Sequence, residues 1–231
     1  MALIARNIVK SFGKVTILHG IDVDIADGEF LSISGRSGSG KSTLLYILST
    51  LDLPTTGDLS LDGHDIAKLS VKELHQFRGK NIGFIFQFHY LLPELSALEN
   101  VLLPARNFNL HKKMKPRAME LLEELEIASH CHKLPDQLSG GQQQRVAIAR
   151  GLLLRPRYIF ADEPTGNLDS QTGMKVMEIL KRVNRDDGTT IVLVTHEPDY
   201  ARMAKREIFL VDGRVEKEVS FDRNGPSPST N

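Results

Sequence analysis

The sequence predicts an α/β protein: parallel strands joined by helical crossovers, preceded by antiparallel strands and interrupted by an inserted helical part. Three observations carry that prediction. Apolar runs at residues 30–34, 82–86, 158–161 and 190–194 have the length of buried strands, and helical patterns separate them. Ile21-Asp22-Val23-Asp24-Ile25 and Leu59-Ser60-Leu61-Asp62 alternate apolar and polar residues, the mark of half-exposed antiparallel strands. From about Phe88 to Arg150 the pattern is helical, with no strong strand.

Within that helical stretch Ala118, Leu121, Leu122 and Leu125 fall on one helix face, and Glu120, Glu123 and Glu124 are directed elsewhere. Pro116 is expected near the start of that helix, where proline is favoured. Toward the end, Ile208 to Val211, then Asp212-Gly213, then Arg214-Val215 predict a hairpin with a tight turn. The expected organisation is one domain over residues 1–223. Residues 1–87 and 151–223 form its sheet core, residues 88–150 its helical subdomain, and residues 224–231 a disordered tail.

The 231 residues hold 29 Lys+Arg against 29 Asp+Glu, so nothing in the overall charge points to nucleic acid as a partner. The single cysteine, Cys131, has no internal partner for a disulfide, which suits a reducing compartment. No apolar run approaches the roughly 20 residues that span a bilayer, and the N-terminus has no signal-peptide pattern. Work at a membrane therefore requires a partner to hold the chain there.

Gly35-Arg36-Ser37-Gly38-Ser39-Gly40-Lys41-Ser42 fits the phosphate-loop pattern GxxxxGK[ST], between a strand and the helix-compatible Thr43-Leu44-Leu45-Tyr46. Glycines let backbone N–H groups converge on phosphate oxygens, and the helix N-terminus adds positive potential. Lys41 is placed to reach the β and γ oxygens, and the Ser42 hydroxyl to ligate Mg²⁺. Asp162 and Glu163 end the strand at residues 158–161, so both emerge at the sheet's carboxyl edge. Read alone, that pair is equally well a solvated cap or an ion pair; following a phosphate loop, it reads as catalytic. Leu138-Ser139-Gly140-Gly141-Gln142 offers a second anion site, with Ser139 as N-cap and the two glycines exposing N–H groups.

These three motifs in this order resemble the ATP-binding cassette superfamily, the ATPase subunits of ABC transporters, over roughly residues 3–215. The resemblance implies a RecA-like core, ATP and Mg²⁺ as ligands, and a division of roles. Asp162 would hold Mg²⁺ through water, Glu163 would polarise the attacking water, and Gln87 would contact Mg²⁺ and link sheet to helices. His196 would contact the γ-phosphate, and Thr43 completes the loop. Phe12 matches the adenine-stacking aromatic, usually tyrosine in the family, although an aromatic at a strand end is commonly core. Ser139, Gly140, Gly141 and Gln142 would act in trans, covering the nucleotide of a second copy in a head-to-tail dimer. Asp169, in Gly166-Asn167-Leu168-Asp169, would lie across that interface.

Phe88-His89-Tyr90-Leu91-Leu92-Pro93 and Ala97-Leu98-Glu99-Asn100-Val101 narrow the resemblance to the LolD-type branch, the ATPases of lipoprotein-releasing complexes. Asp162-Glu163-Pro164-Thr165-Gly166-Asn167-Leu168-Asp169 is also similar to MacB-type efflux and antimicrobial-peptide systems, which remain the alternative. The resemblance implies integral membrane permease subunits as partners and a peripheral place on the cytoplasmic face of the inner membrane. Residues 88–93 are either core packing or a docking surface for the partner's cytoplasmic helix. In a mixed arrangement, Phe88 and Leu91 are buried, with His89 and Tyr90 at a groove. Two other classes compete: soluble cassettes of translation or DNA maintenance, and catalytically silent modules. The first needs fused cassettes or a coiled coil, and the second sits poorly with Glu163 and His196.

Overall fold

A computed structural model describes residues 3–222 and 225–228. In chain order the strands are β1 (Leu3–Phe12), β2 (Val15–Ile25), β3 (Phe30–Gly35), β4 (Thr56–Leu61), β5 (His64–Asp65), β6 (Ile82–Ile85), β7 (Tyr158–Asp162), β8 (Thr190–Val194), β9 (Arg206–Val211), β10 (Arg214–Asp222) and β11 (Gly225–Pro228). The helices are α1 (Lys41–Leu48), α2 (Val71–Asn81), α3 (Ala97–Arg106), α4 (His111–Glu124), α5 (Gly140–Leu152), α6 (Ser170–Asp187) and α7 (Pro198–Ala201). Two compact units emerge, Met1–Gln76 with Lys181–Asn231, and Phe77–Leu180.

In the first unit β2, β1, β4 and β5 form an antiparallel sheet in that order. Ile21, Val23 and Ile25 are buried while Asp22 is exposed, as their alternation predicts. The β1 register slips between Ala5 and Ile8, where Asn7 adopts φ 48° and sends its N–H to Asp22 Oδ1 at 2.7 Å. The same unit holds a second sheet in which β3 runs parallel to both β8 and β9. Strand β3 needs no alternation because its residues 30–34 are all buried, the pattern of a strand covered on both faces. Helix α1 packs against β1, β2, β3 and β8, burying Leu44, Leu45, Ile47 and Leu48.

Strands β9 and β10 form the expected hairpin. Asp212 and Gly213 have φ 45° and 71°, the two positive angles of a primed turn. A Cβ on Gly213 would lie 1.9 Å from Ile17 O, so the turn admits no side chain there. Gly225–Pro228, expected in a disordered tail, instead pair antiparallel with β10. Asn224 and residues 229–231 of that expected tail lie outside the described residues.

In the second unit β6 pairs in parallel with β7, and α5 packs on β6 as well as on α3 and α4. This unit is wider than the predicted helical subdomain, because those α5 contacts tie the β6–β7 pair to the helices. Ala118, Leu121, Leu122 and Leu125 are all buried, along the predicted stripe. Pro116 is inside α4 rather than at its start, since the helix begins at His111. Lying beyond the first turn, it removes the backbone bond to the carbonyl four residues earlier. Among the described residues, no helix is long and apolar enough to cross a membrane.

Candidate nucleotide site

Each unit carries its own share of the expected site. In the first, β3 delivers the chain into a loop whose glycines take conformations unfavourable for other residues: Gly38 has φ 79° and Gly40 φ 97°. A Cβ on Gly40 would press within 2.8 Å of Leu18 Cδ2, while open space surrounds Gly38. Lys41 is only 8% exposed, and its ammonium donates to Gly35 O and Arg36 O at 3.0 Å each, bracing the loop from within. The Ser39 hydroxyl is buried and has no hydrogen-bond partner among the described residues. Ser42 is exposed at the start of α1, Thr43 is half-buried, and no acidic side chain occupies that helix's first turn. A positive helix end, an open glycine and an unpaired hydroxyl fit an anionic ligand such as a triphosphate.

His196 follows β8 and is exposed, and Thr195 Oγ1 accepts from Glu197 N–H at 3.1 Å. A cavity of about 280 Å³ brings His196 together with Gly35 and Arg36 at the mouth of the loop. Phe12 ends β1 with 56% of its surface exposed, so it is a presented ring rather than a core residue. The Lys10 ammonium lies 5.0 Å from its centroid and is itself held by Asp52 and Leu53 O at 2.7 Å each.

The second unit holds the acidic share. Asp162 closes β7 and is buried; Glu163 follows with φ 45°, a left-handed backbone rare for glutamate. Gln87, exposed just beyond β6, points its Nε2 at Glu163 Oε2 across 3.4 Å. Asn167 Nδ2 donates to Gln87 O at 3.0 Å, tying the two loops together. Asp169 caps α6, accepting from Gln171 N, Thr172 N and Thr172 Oγ1. Those bonds, the Thr172 hydroxyl first, hold its carboxyl below the usual range. Among the described residues no cluster of His, Cys, Asp and Glu would cage a metal.

Ser139 is the N-cap of α5: its hydroxyl accepts from Gln142 N–H at 3.3 Å, and Gln142 Oε1 accepts from Ser139 N–H at 2.9 Å. Ser139 and Gly140 are exposed and Gly140 has open space around it, while buried Leu138 anchors the segment. Position 141 is tighter, since a Cβ there would be 3.3 Å from Asn167 O.

Residues 88–93 depart from the mixed arrangement expected of them. Phe88 is 68% exposed rather than buried, Leu91 is only half-buried, and Tyr90 is 63% exposed. The Tyr90 ring stands edge-on to Phe86 at 5.2 Å, and both line a groove of about 410 Å³ with Phe84, Leu103, Pro104 and Arg150. Beside Phe88, Arg150 pins the backbone, donating to His89 O and Tyr90 O at 2.7 Å each.

Three residues of this unit escape a reading of the sequence alone. Besides Arg150, buried Asn100 bonds Leu92 N–H, Leu92 O, Leu95 O and Ser96 O, satisfying the whole amide. Gln144 joins Phe86 O to Pro164 O. A signal for two of them is present, since Asn100 and Gln144 are amides at apolar helix positions.

Residues 18–166 match the ABC transporter family. The lipoprotein-releasing system ATP-binding protein LolD of Leptospira interrogans is 53% identical, over 92% of this chain and 90% of its own. LolD of Aquifex aeolicus is 49% identical over 94% and 96%, and LolD of Bacteroides fragilis 46% over 91% and 98%. Two structures of the cassette MJ0796 superpose with TM-scores of 0.88 and 0.90, at 42% and 43% identity, each covering 95% of this chain and 99% of the other. One is a dimer in a post-hydrolysis state bound to ADP and Pi; the other is described as a dimeric bacterial ABC transporter cassette. The chain belongs to the ABC transporter family and is one of its ATP-hydrolysing cassettes.

Proposed function

We propose that this ATPase powers the release of lipoproteins from a bacterial inner membrane, bound to the cytoplasmic face of integral permease subunits. The observation that carries the reading is the 46–53% identity, over nearly the full length of both chains, to LolD proteins of three distant bacteria. No comparison favours the MacB-type alternative. Exposed Phe88 and Tyr90, beside the groove, are the surface assigned to the permease's cytoplasmic helix.

In this reading the loop from Gly35 to Ser42 takes the triphosphate, and Lys41 exchanges its two carbonyl partners for phosphate oxygens. The Ser39 hydroxyl gains the partner it lacks, and the Phe12 ring stacks on adenine. Mg²⁺, held by Ser42 and Gln87 and through water by Asp162, would neutralise phosphate charge. Glu163 takes a proton from the attacking water, help worth about 10²–10⁴-fold, and His196 hydrogen-bonds the γ-phosphate. Two copies pair head to tail, so that Ser139 to Gln142 of one cap the nucleotide of the other, with Asp169 at the interface. The dimeric state of the MJ0796 cassette supports that arrangement.

The test is reconstitution. The full chain is expected to co-purify with membrane subunits bearing a large periplasmic domain, and the complex to release an acylated lipoprotein from proteoliposomes only with ATP. A complex that hydrolyses ATP and exports small amphiphiles but leaves the lipoprotein in the bilayer overturns the assignment.

A further inference from the structure

Gln144 sits one turn into α5, two residues beyond the signature segment, and is fully buried. It shares a helix stripe with Ala147, Ile148 and Gly151, so an amide there runs against its surroundings. Its Nε2 donates twice, to Phe86 O at 3.1 Å and to Pro164 O at 2.8 Å. Those carbonyls lie just past the end of the β6–β7 ladder, whose last paired residues are Ile85 and Ala161. The side chain thus adds a rung where backbone pairing has stopped.

Each carbonyl adjoins a residue of the hydrolytic machinery, since Phe86 precedes Gln87 and Pro164 follows Glu163. Glu163 keeps φ 45°, a conformation that persists only where the surroundings impose it. Two bonds do so: Gly166 N–H donates to Glu163 O at 3.1 Å, and Gln144 holds the next carbonyl. The other half of the amide contributes nothing, because Gln144 Oε1 is buried without a partner among the described residues. A methionine of similar shape would avoid that cost but take the side-chain donor away from both backbone carbonyls.

We propose that Gln144 is a positioning residue for hydrolysis, fixing the Gln87 amide and the Glu163 carboxylate relative to one another and to the signature helix. Ser139 caps that same helix. Movement of α5 on engaging a partner's nucleotide is therefore delivered through the Gln144 amide to the Glu163 turn of its own subunit. The inference deepens, and rests on, the reading of Glu163 as the base.

The experiment measures steady-state turnover and KM of the full chain for Mg–ATP in Gln144→Met and Gln144→Asn. Asparagine keeps the donors but is one methylene short of spanning both carbonyls. Misplacing the base by an ångström is expected to lower kcat about 10²-fold, with KM within about twofold because the positioning acts on the transition state and not on ground-state binding. Val146→Ala, a buried change on the same helix, serves as the structural control: it lowers the melting temperature without the kcat loss. A folded Gln144→Met protein with normal kcat overturns the proposal, as does a loss expressed in KM alone. Should Gln144→Met fail to fold, Gln144→Asn decides the question by the same two measurements. Glu163→Gln run alongside separates the two failures. Retained turnover there removes the base itself, whereas a dead Glu163→Gln beside a normal Gln144→Met removes only the positioning role.

Discussion

Gln87 Nε2 reaches toward Glu163 Oε2 across 3.4 Å, a long hydrogen bond between the ends of two paired strands. The Asn167 bond to Gln87 O stops that loop from drifting. The left-handed backbone at Glu163 turns the chain sharply after Asp162, giving two adjacent carboxylates different environments, one buried and one half-exposed.

Replacing Glu163 by glutamine keeps that shape and removes the base. Turnover is expected to fall by at least about 10²-fold, ATP binding to persist, and an ATP-bound dimer to accumulate. Phosphate release and sedimentation in saturating Mg–ATP check both halves. Steady-state activity near wild type, or a monomer throughout, contradicts the role.

Lys41→Ala removes the ammonium that now braces Gly35 O and Arg36 O. Two effects follow, a slacker loop and uncompensated phosphate charge. Charge-assisted bonds are worth about 1.5–3 kcal/mol each, so ATP affinity should weaken roughly 10–150-fold. Calorimetry with ATP reads the change directly, and unchanged affinity would remove residues 35–42 from the site.

Mixing tests the shared-site arrangement. A Lys41→Ala copy and a copy carrying Ser139→Arg are each expected to be inactive, since every site in either homodimer is damaged. Their mixed dimer places both lesions in one site and leaves the other whole, because an isologous pair exchanges equivalent surfaces. Recovery of ATPase activity only on mixing is the expected outcome. Additive inactivity at all ratios counts against the head-to-tail pairing.

How legible the protein is in its sequence differs from residue to residue. The parallel strands and the Asp212-Gly213 turn are readable because burial on both faces and paired positive φ leave strong local signatures. Ser139 as a helix cap is likewise local chemistry. What stays hidden depends on partners distant in sequence. Gln144 bonds residues 58 and 20 positions away, and Arg150 bonds carbonyls about 60 away. Phe88 reads as buried because it stands in a stretch rich in aromatic and aliphatic residues, and nothing nearby in the chain announces that Arg150 pins the two carbonyls that follow it. Pro116 misleads for the opposite reason: a strong local preference yields to a helix that starts five residues earlier.

His89 supplies a pH dependence. Burial, and then the charge of Arg150, push its pKa below the ordinary histidine value. The unfolded chain takes up a proton near pH 6.5; the folded chain does so only at lower pH. Between those points the unfolded state binds more protons, and stability declines as pH falls. Thermal melting near pH 7.5 and pH 5.5 should show a larger loss for wild type than for His89→Gln, which cannot titrate. Equal losses would mean that His89 protonates as readily folded as unfolded.

Tyr90 offers the sharpest test of the docking surface. Its backbone is pinned in a left-handed conformation, φ 44°, with Arg150 holding its carbonyl, and its ring touches Phe86 and Phe88 edge-on while staying 63% exposed. A rigid backbone presenting an aromatic ring beside an apolar groove suits an incoming amphipathic helix, because little conformational freedom is lost on binding. Tyr90→Glu places a charge at that contact, where an apolar partner helix gives it nothing to pair with. The fold should tolerate the change, since the ring is mostly outside the core, and ATP binding should survive because the phosphate loop is formed by β3 and α1. The expected outcome is a protein with near-normal melting temperature and ATP affinity that no longer co-purifies with its membrane subunits and no longer supports transport. Tyr90→Phe should behave as wild type, because it keeps the ring and loses only the hydroxyl. Normal assembly and transport by Tyr90→Glu would leave the groove without a role in docking.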